Sequence, residues 1–159
     1  MHLPTDTRAL RTALGSFATG VTIVTAMSDQ GEPVGFTANS FTSVSLDPPL
    51  LLVCLAHKAM SYRIFRAADS FAVNVLSAHQ EDTAMRFATQ GADKFSDMDW
   101  QAGRMGAPII PGCIAQFDCA MHERMTAGDH DILMGRVIGF AREEGSALVY
   151  HSGSFRTLG

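Results

Sequence analysis

Short runs of β-branched and apolar residues, separated by turn residues, recur along this chain and constrain its fold. Val21–Ala26 is β-branched at nearly every position, the Ser28–Gly31 segment is typical of a tight turn, and Pro33–Thr37 is extended again. This pattern predicts a β-hairpin. We expect further strands at Pro49–Ala56, Phe71–Leu76, Cys113–Thr126, Ile132–Phe140 and Ala147–His151.

Three short helices are predicted from apolar residues that recur at spacings of three and four. They cover Thr7–Ala18, Met60–Ala67 and Gln80–Thr89, and Asp6 or Thr7 is a suitable cap for the first. We expect the second and third helices to pack inward through Met60, Ile64, Phe65 and Met85.

The order of these elements predicts a mainly β protein with antiparallel strands and a few short α-helices. Roughly seven strands in mostly hairpin order favour an antiparallel barrel or sandwich over a parallel sheet. The run Pro49–Ala56 is apolar on both faces, which predicts a central, doubly buried strand. The Gly91–Pro111 segment is rich in Gly, Asp and Pro and is expected to be irregular.

Composition limits the kinds of function that this chain can have. Its 159 residues predict a single domain spanning 1–159, and the net charge of −4 argues against a nucleic-acid partner. No apolar run reaches membrane-spanning length, and the first residues do not resemble a signal peptide. Three cysteines with no Cys-x-x-Cys predict reduced thiols rather than a disulfide framework or zinc site, so we expect a cytoplasmic protein.

Hydroxyl side chains are concentrated in one segment, between Gly35 and Leu50, which Pro48 and Pro49 terminate. They are Thr37, Ser40, Thr42, Ser43 and Ser45. Hydroxyls and backbone N–H groups can hold a phosphate or a polar ring without many charges. The same residues also suit the solvent face of an edge strand, and composition alone does not separate the two interpretations.

A histidine follows the turn Gly128-Asp129 and is expected at the mouth of a hairpin. His130 stands between Asp129 and Asp131, where it could bind a ligand or transfer a proton, or simply face water. No set of metal ligands is indicated, and we assign none.

Two further features suit a phosphate-bearing ring system. Lys58 and Ser61 open a helix after the Pro49–Ala56 strand, and Lys94-Phe95 and Arg86-Phe87 each pair a cation with an aromatic ring. An ordinary cap and solvated charges beside core aromatics explain them equally well. Neither a Gly-x-Gly-x-x-Gly loop, nor a Walker loop, nor a Gly-x-Ser-x-Gly elbow is present.

These segments, taken in order, resemble the flavin reductase-like family, which includes the small reductase components of two-component flavin-dependent monooxygenases such as 4-hydroxyphenylacetate and phenol hydroxylase reductases. The resemblance covers nearly the whole chain, and the block at residues 35–50 is its most specific part. The other matching segments are Phe17–Thr25, Phe71–Leu76, Lys94-Phe95, Gly128-Asp129-His130 and Gly153–Arg156.

The resemblance implies a split β-barrel that works as a homodimer and binds FMN or FAD. It places His130 near the nicotinamide and the flavin. It implies that the flavin phosphate is held by Lys58 and Ser61 and that the rest of the cofactor site is formed by Thr37, Ala38, Asn39, Ser40, Ser45, Cys54, Leu55, Ala56, Phe87, Lys94 and Phe95. Tyr150 and Arg156 are implied contacts of the nicotinamide nucleotide, and because the chain ends soon after them at Gly159, the choice between NADH and NADPH stays open.

The implied activity is that of an NAD(P)H-dependent flavin reductase that supplies reduced flavin to a partner monooxygenase. Hydride transfer requires close stacking of nicotinamide on flavin, so positioning is the main task of the protein. A flavin-binding or haem-binding module without nicotinamide turnover is the alternative on the same barrel. A pyridoxamine-phosphate oxidase-like enzyme is a weaker one, because few basic residues accompany the hydroxyl-rich segment.

Overall fold

The computed structural model describes residues 2–91 and 93–158 and shows a mainly β protein with three short helices. The helices are α1 (Thr7–Gly15), α2 (Tyr62–Ala67) and α3 (Glu81–Ala88). The strands are β1 (Thr19–Gly20), β2 (Thr22–Met27), β3 (Pro33–Ala38), β4 (Thr42–Leu46), β5 (Pro49–Ala56), β6 (Ser70–Val75), β7 (Gln101–Ala102), β8 (Pro108–Ile109), β9 (Ala115–Ala127), β10 (His130–Arg142), β11 (Leu148–His151) and β12 (Ser154–Thr157).

Seven strands form the main sheet, in the order β3-β2-β6-β9-β10-β5-β4, and every pairing within it is antiparallel. Two smaller antiparallel sheets combine β1 with β11 and β12, and β7 with β8. The predicted mainly β, antiparallel architecture is therefore confirmed, as is the hairpin of β2 and β3.

The main core joins strands that are far apart in the order of the sheet. Ala38 on β3, Val24 on β2 and Leu55 on β5 belong to one buried cluster, together with Phe65 on α2. The sheet therefore curves, because its two ends share this core. A second cluster holds α3 against the other end of β2, through Val21, Ile23, Leu76, Ala84, Phe87, Ile110, Cys113 and Leu148.

Three packing predictions are wrong. β5 is not a doubly buried central strand: it is next to the sheet edge, and its residues alternate between buried and half-buried. Met60 does not face inward but is 73% exposed, because α2 begins only at Tyr62. Met85 is likewise exposed, and α3 packs through Ala84 and Phe87, which lie three residues apart on its inner face.

The N-terminal helix is shorter than predicted, and its apolar side chains remain exposed. Asp6 caps it by accepting a hydrogen bond from the Ala9 N–H, as the sequence predicts. Leu10, Leu14 and Phe17 recur at spacings of four and three, and all three side chains are exposed. No helix among the described residues is long and apolar enough to cross a membrane.

Candidate active site

The main pocket lies where the C-terminal ends of β3 and β5 approach each other. β3 is one edge of the main sheet and β5 lies next to the other edge, so the two strands meet through the curvature of the sheet. The pocket has a volume of about 400 Å³. It is lined by Phe36, Thr37, Ala38, Asn39, Ser40, Cys54, Leu55, Ala56, Lys58, Ala59, Met60, Ser61, Phe87, Ala88, Gln90, Lys94 and His130.

The hydroxyls of the 35–50 segment serve the protein scaffold more than the pocket. Ser40 Oγ accepts a hydrogen bond from the Cys54 N–H at 2.9 Å, and Thr37 Oγ1 donates to the Ala84 carbonyl at 2.6 Å. Ser40 thereby ties the end of β3 to β5, and Thr37 ties β3 to α3. Thr42 and Ser43 lie exposed on the edge strand β4, as the alternative interpretation of this segment predicts.

Phe87 forms an apolar wall of the pocket and fixes the position of β3. Its side chain is 1% exposed and lies against Gly35, where an added Cβ would come within 2.9 Å of the ring. A glycine is therefore required at position 35 for the aromatic ring to pack directly on the strand. Phe95 supports the Phe87 ring from behind, in an edge-to-face contact with 5.1 Å between the ring centroids.

Lys94 fastens the segment after α3 to the wall of the pocket. Its Nζ donates hydrogen bonds to the carbonyls of Phe87, at 2.8 Å, and Gly35, at 3.3 Å. Burial lowers the pKa of Lys94 from its ordinary value, because desolvation penalises the charged form. This lysine thus has a structural task, besides the positive charge that it brings to the pocket.

Another part of the pocket wall is the connection between β5 and α2, which contains Lys58 and Ser61. Both residues line the pocket together with Ala59 and Met60. Ser61 precedes α2, and its carbonyl accepts the backbone N–H groups of Ile64 and Phe65. The Lys58 ammonium group and the Ser61 hydroxyl give this part of the pocket hydrogen-bond donors that can hold a phosphate.

His130 lies at the mouth of the pocket, where the β9–β10 hairpin meets β5. Its backbone is in register with Ala56 on β5, and its side chain is 44% exposed. His130 Nδ1 lies 2.6 Å from Asp129 Oδ1, and this hydrogen bond lowers the pKa of the Asp129 carboxyl. Because an ionised carboxylate only accepts, the contact places a proton on Nδ1 and leaves Nε2 available to a ligand.

A buried carboxylate next to His130 organises a polar cluster that the sequence analysis missed. Asp131 Oδ1 accepts hydrogen bonds from His57 Nε2 at 2.8 Å and Thr126 Oγ1 at 2.9 Å, and Oδ2 accepts one from Tyr62 OH at 2.9 Å. We call these four residues the Asp131 cluster. The His57 hydrogen bond is the largest cause that lowers the pKa of Asp131, followed by those of Thr126 and Tyr62.

The sequence offered only a weak signal for this cluster. Asp131 stands beside His130, but His57, Tyr62 and Thr126 come from three other positions along the chain. Only the pairing of β10 with both β5 and β9 brings these side chains together. Spacing along the chain therefore could not identify them.

Four of the predicted site residues lie outside the main pocket. Ser45 is half-buried on β4, in register with Leu50. Phe95 lines an adjoining groove of about 310 Å³ that shares Met60, Ser61 and Lys94 with the pocket. Tyr150 and Arg156 line a third groove of about 630 Å³. This groove shares Thr37, Asn39 and Ala88 with the pocket.

The fold and pocket together define a class: a β protein with a cofactor-sized pocket between strand ends and a histidine at its mouth. The model of the flavin reductase like domain matches residues 14–159. This chain belongs to the flavin reductase-like family.

Individual relatives agree with this assignment. The stachydrine N-demethylase reductase subunit Stc3 of Rhizobium meliloti is 49% identical over 94% of this chain and 65% of its own length. The FMN reductase (NADH) SmoA of Agrobacterium fabrum is 44% identical over 94% of this chain and 85% of its own length. Several curated relatives are longer proteins, of which this chain spans about half to two thirds.

A solved structure is similar over the full length of the chain. The Streptomyces globisporus NADH:FAD oxidoreductase SgcE6, in complex with NAD and FAD fragments, is 42% identical and superposes with a TM-score of 0.94. The match covers 100% of this chain and 96% of that protein.

Proposed function

We propose that this chain is an NAD(P)H:flavin oxidoreductase that transfers hydride from a nicotinamide cofactor to FMN or FAD and supplies reduced flavin to a partner monooxygenase. The observation that carries the proposal is the pocket between β3 and β5. It brings Lys58, Ser61, Phe87 and His130 together with the strand ends 37–40 and 54–56. Family membership supports the same conclusion, as do the activities for which SmoA and SgcE6 are named.

The residues of the pocket fit a flavin. The volume of about 400 Å³ falls within the range of cofactor sites. Phe36, Leu55 and Phe87 supply apolar contacts for a flat ring, and the backbone of the two strand ends supplies polar contacts. Lys58 and Ser61 would hold the phosphate, since they combine a cation with a hydroxyl on one side of the pocket.

Bound flavin supplies the redox chemistry, as acceptor of the nicotinamide hydride. The protein has to bind and orient both ring systems, and no side chain has to act as a nucleophile. We propose that His130 touches the nicotinamide through Nε2, because its Nδ1 is held by Asp129 and its partly exposed side chain lines the pocket. Tyr150 and Arg156, in the adjoining groove, are proposed contacts for the rest of the dinucleotide.

An anaerobic reduction assay tests the activity directly. The purified protein is mixed with NADH or NADPH and with free FMN or FAD, and the visible absorbance of the flavin is followed. We expect the absorbance to be lost within seconds to minutes at catalytic protein concentrations. Absence of bleaching with every pair of nucleotide and flavin would refute the proposal. Rates with the four pairs also identify the preferred cofactors.

A partner monooxygenase is proposed because one relative is the reductase component of the flavin-dependent trigonelline monooxygenase of Acinetobacter baylyi, and because Stc3 is likewise a reductase subunit, of an N-demethylase. The test couples the two proteins through the flavin alone. The purified reductase should support substrate oxidation by a two-component oxygenase from which it is physically separated. Reduced flavin diffusing across a dialysis membrane should sustain that oxidation. Dependence on direct contact would contradict supply by diffusion.

We also propose that the curved sheet closes as a split β-barrel and that two copies form a homodimer in the cytoplasm. Ser40 bridges β3 to β5 at the opening of the sheet, which supports a barrel that is split there. Leu46 and Phe140 are 96% and 77% exposed, and large exposed apolar side chains are typical of surfaces that another chain covers. Light scattering after gel filtration should give twice the mass of the chain, and Leu46→Glu should shift it toward the monomer.

A further inference from the structure

The connection between β5 and α2 is fixed at both ends by one carboxylate. His57 precedes and Tyr62 follows the four residues 58–61, and all four of these residues line the main pocket. His57 Nε2 and Tyr62 OH donate to the two different oxygens of Asp131, at 2.8 and 2.9 Å. The side of the pocket that carries Lys58 and Ser61 is therefore a short loop held closed at its base.

The hydrogen bonds from His57 and Tyr62 to Asp131 hold this loop firmly. The Asp131 side chain is 5% exposed, so its hydrogen bonds are shielded from water, whereas the His57 side chain is 34% exposed. Hydrogen bonds to an ionised carboxylate are roughly twice as strong as neutral ones. The rings of His57 and Tyr62 also lie 5.0 Å apart, which closes the base of the loop by direct contact.

The same carboxylate connects the loop to the histidine at the mouth of the pocket. Asp131 follows His130 on β10, and the His57 N–H donates to the Asp129 carbonyl at 2.9 Å. Asp129 therefore holds the His130 side chain, and Asp129 and Asp131 together hold the β5–α2 loop. A displacement of the loop away from β10 would break contacts on both sides of His130.

We propose that Asp131, His57 and Tyr62 are positioning residues that hold the loop 58–61 in its flavin-binding position and so set the affinity for the flavin phosphate. None of the three contacts the reacting atoms; they act through Lys58 and Ser61. The identity of the ligand rests on the proposed function, whereas the attachment of the loop does not.

The experiment measures loop opening and flavin affinity separately, in full-length protein. His57→Ala removes one anchor, and His57→Gln is the conservative variant, because its Nε2 can reach Asp131 as the histidine Nε2 does. Tyr62→Phe removes the second anchor but keeps the ring. The matched control is His79→Ala, an exposed histidine outside the pocket. Amide hydrogen exchange of residues 57–62 is measured without ligand, FMN affinity by fluorescence quenching, and kcat at saturating FMN.

We expect His57→Ala and Tyr62→Phe to raise exchange in residues 57–62 selectively and to weaken FMN binding about tenfold, equivalent to about 1.4 kcal/mol. The kcat should stay within about twofold, since the loop contributes binding rather than transition-state contacts. His57→Gln should recover most of the affinity. Unchanged exchange in residues 57–62, or an equal rise throughout the protein, would overturn the proposal. If the wild-type protein binds no FMN, the proposed function fails, and the exchange data still decide whether the loop is anchored.

Discussion

Removal of the Ser40 hydroxyl tests whether the opening of the sheet shapes the pocket that we propose for the flavin. Ser40 Oγ accepts from the Cys54 N–H at 2.9 Å and donates to the Cys54 carbonyl at 3.4 Å. Ser40→Ala leaves a half-buried backbone N–H on β5 without its acceptor. An unsatisfied group of this kind costs about 1–2 kcal/mol, which corresponds to roughly 2–8 °C in Tm for a domain of this size.

The variant should also weaken flavin binding, because Ser40 and Cys54, which this hydrogen bond joins, both line the pocket. We expect about fivefold weaker binding of FMN, which is about 1 kcal/mol. The kcat at saturating FMN should be nearly unchanged, since the hydroxyl contacts no reacting atom.

Thermal unfolding, FMN fluorescence quenching and steady-state kinetics measure these three effects. Thr42→Ala is the matched control, because it removes a hydroxyl from the same segment but from the exposed face of β4. It should change neither the Tm nor the affinity. A Ser40→Ala variant as stable as the wild type, or a Thr42→Ala variant that weakens FMN binding to the same degree, would refute the predicted role of the Ser40 hydroxyl.

Three further predictions follow from the site. His130→Ala should lower turnover with NADH by roughly 10²-fold, while FMN affinity changes less than about twofold, as fluorescence quenching would show. Asp131 has a pKa below its ordinary value of 3.8. Its contribution to the free energy of unfolding is therefore present above that pH and is lost as the pH falls through the pKa of the folded state. The stability of Asp131→Asn should consequently fall less steeply with decreasing pH. Burial raises the pKa of Cys113 and Cys119 to about 12, so native protein should react with iodoacetamide first at Cys54, and FMN should slow that reaction.

Each of these predictions has an outcome that contradicts it. Equal loss of turnover and FMN affinity in His130→Ala would place the histidine in flavin binding rather than beside the nicotinamide. Identical acid unfolding of wild type and Asp131→Asn, followed by circular dichroism below pH 4, would remove the stabilising role of the ionised carboxylate. Labelling of Cys119 before Cys54, read by peptide mass spectrometry, would mean that the core opens more readily than the pocket.

Much of the fold was predictable because local residue types and packing agree in most strands. β2 follows from its β-branched run, β6 from a short run that contains Val73 and Val75, and the β9–β10 hairpin from the Gly128-Asp129 turn. β5 was misplaced as a doubly buried strand because an apolar run does not report what covers each face. β4 was predicted as an edge strand in only one of two interpretations, because its hydroxyls suit a ligand-binding segment equally well.

The candidate site was predictable as a set of residues but not as a set of contacts. The resemblance grouped strand ends, Lys58, Ser61, Phe87 and His130, and the structure brings these residues into one pocket. It could not show that the Thr37 and Ser40 hydroxyls are already bonded to backbone groups. Those bonds depend on the curvature of the sheet, which sequence spacing does not encode.

The Thr37 and Ser40 hydroxyls are bonded to backbone groups, and this limits the polar side-chain contacts that the pocket can offer a ligand. With Thr37, Ser40 and Lys94 all donating to backbone carbonyls, the polar contacts left for a ring system come mainly from the strand ends themselves. Backbone contacts recognise the common edge of any flavin and not its side chain, so they favour FMN and FAD alike. Under the proposed function, affinity would then depend on the phosphate, and hence on the loop of Lys58 and Ser61 that Asp131 holds.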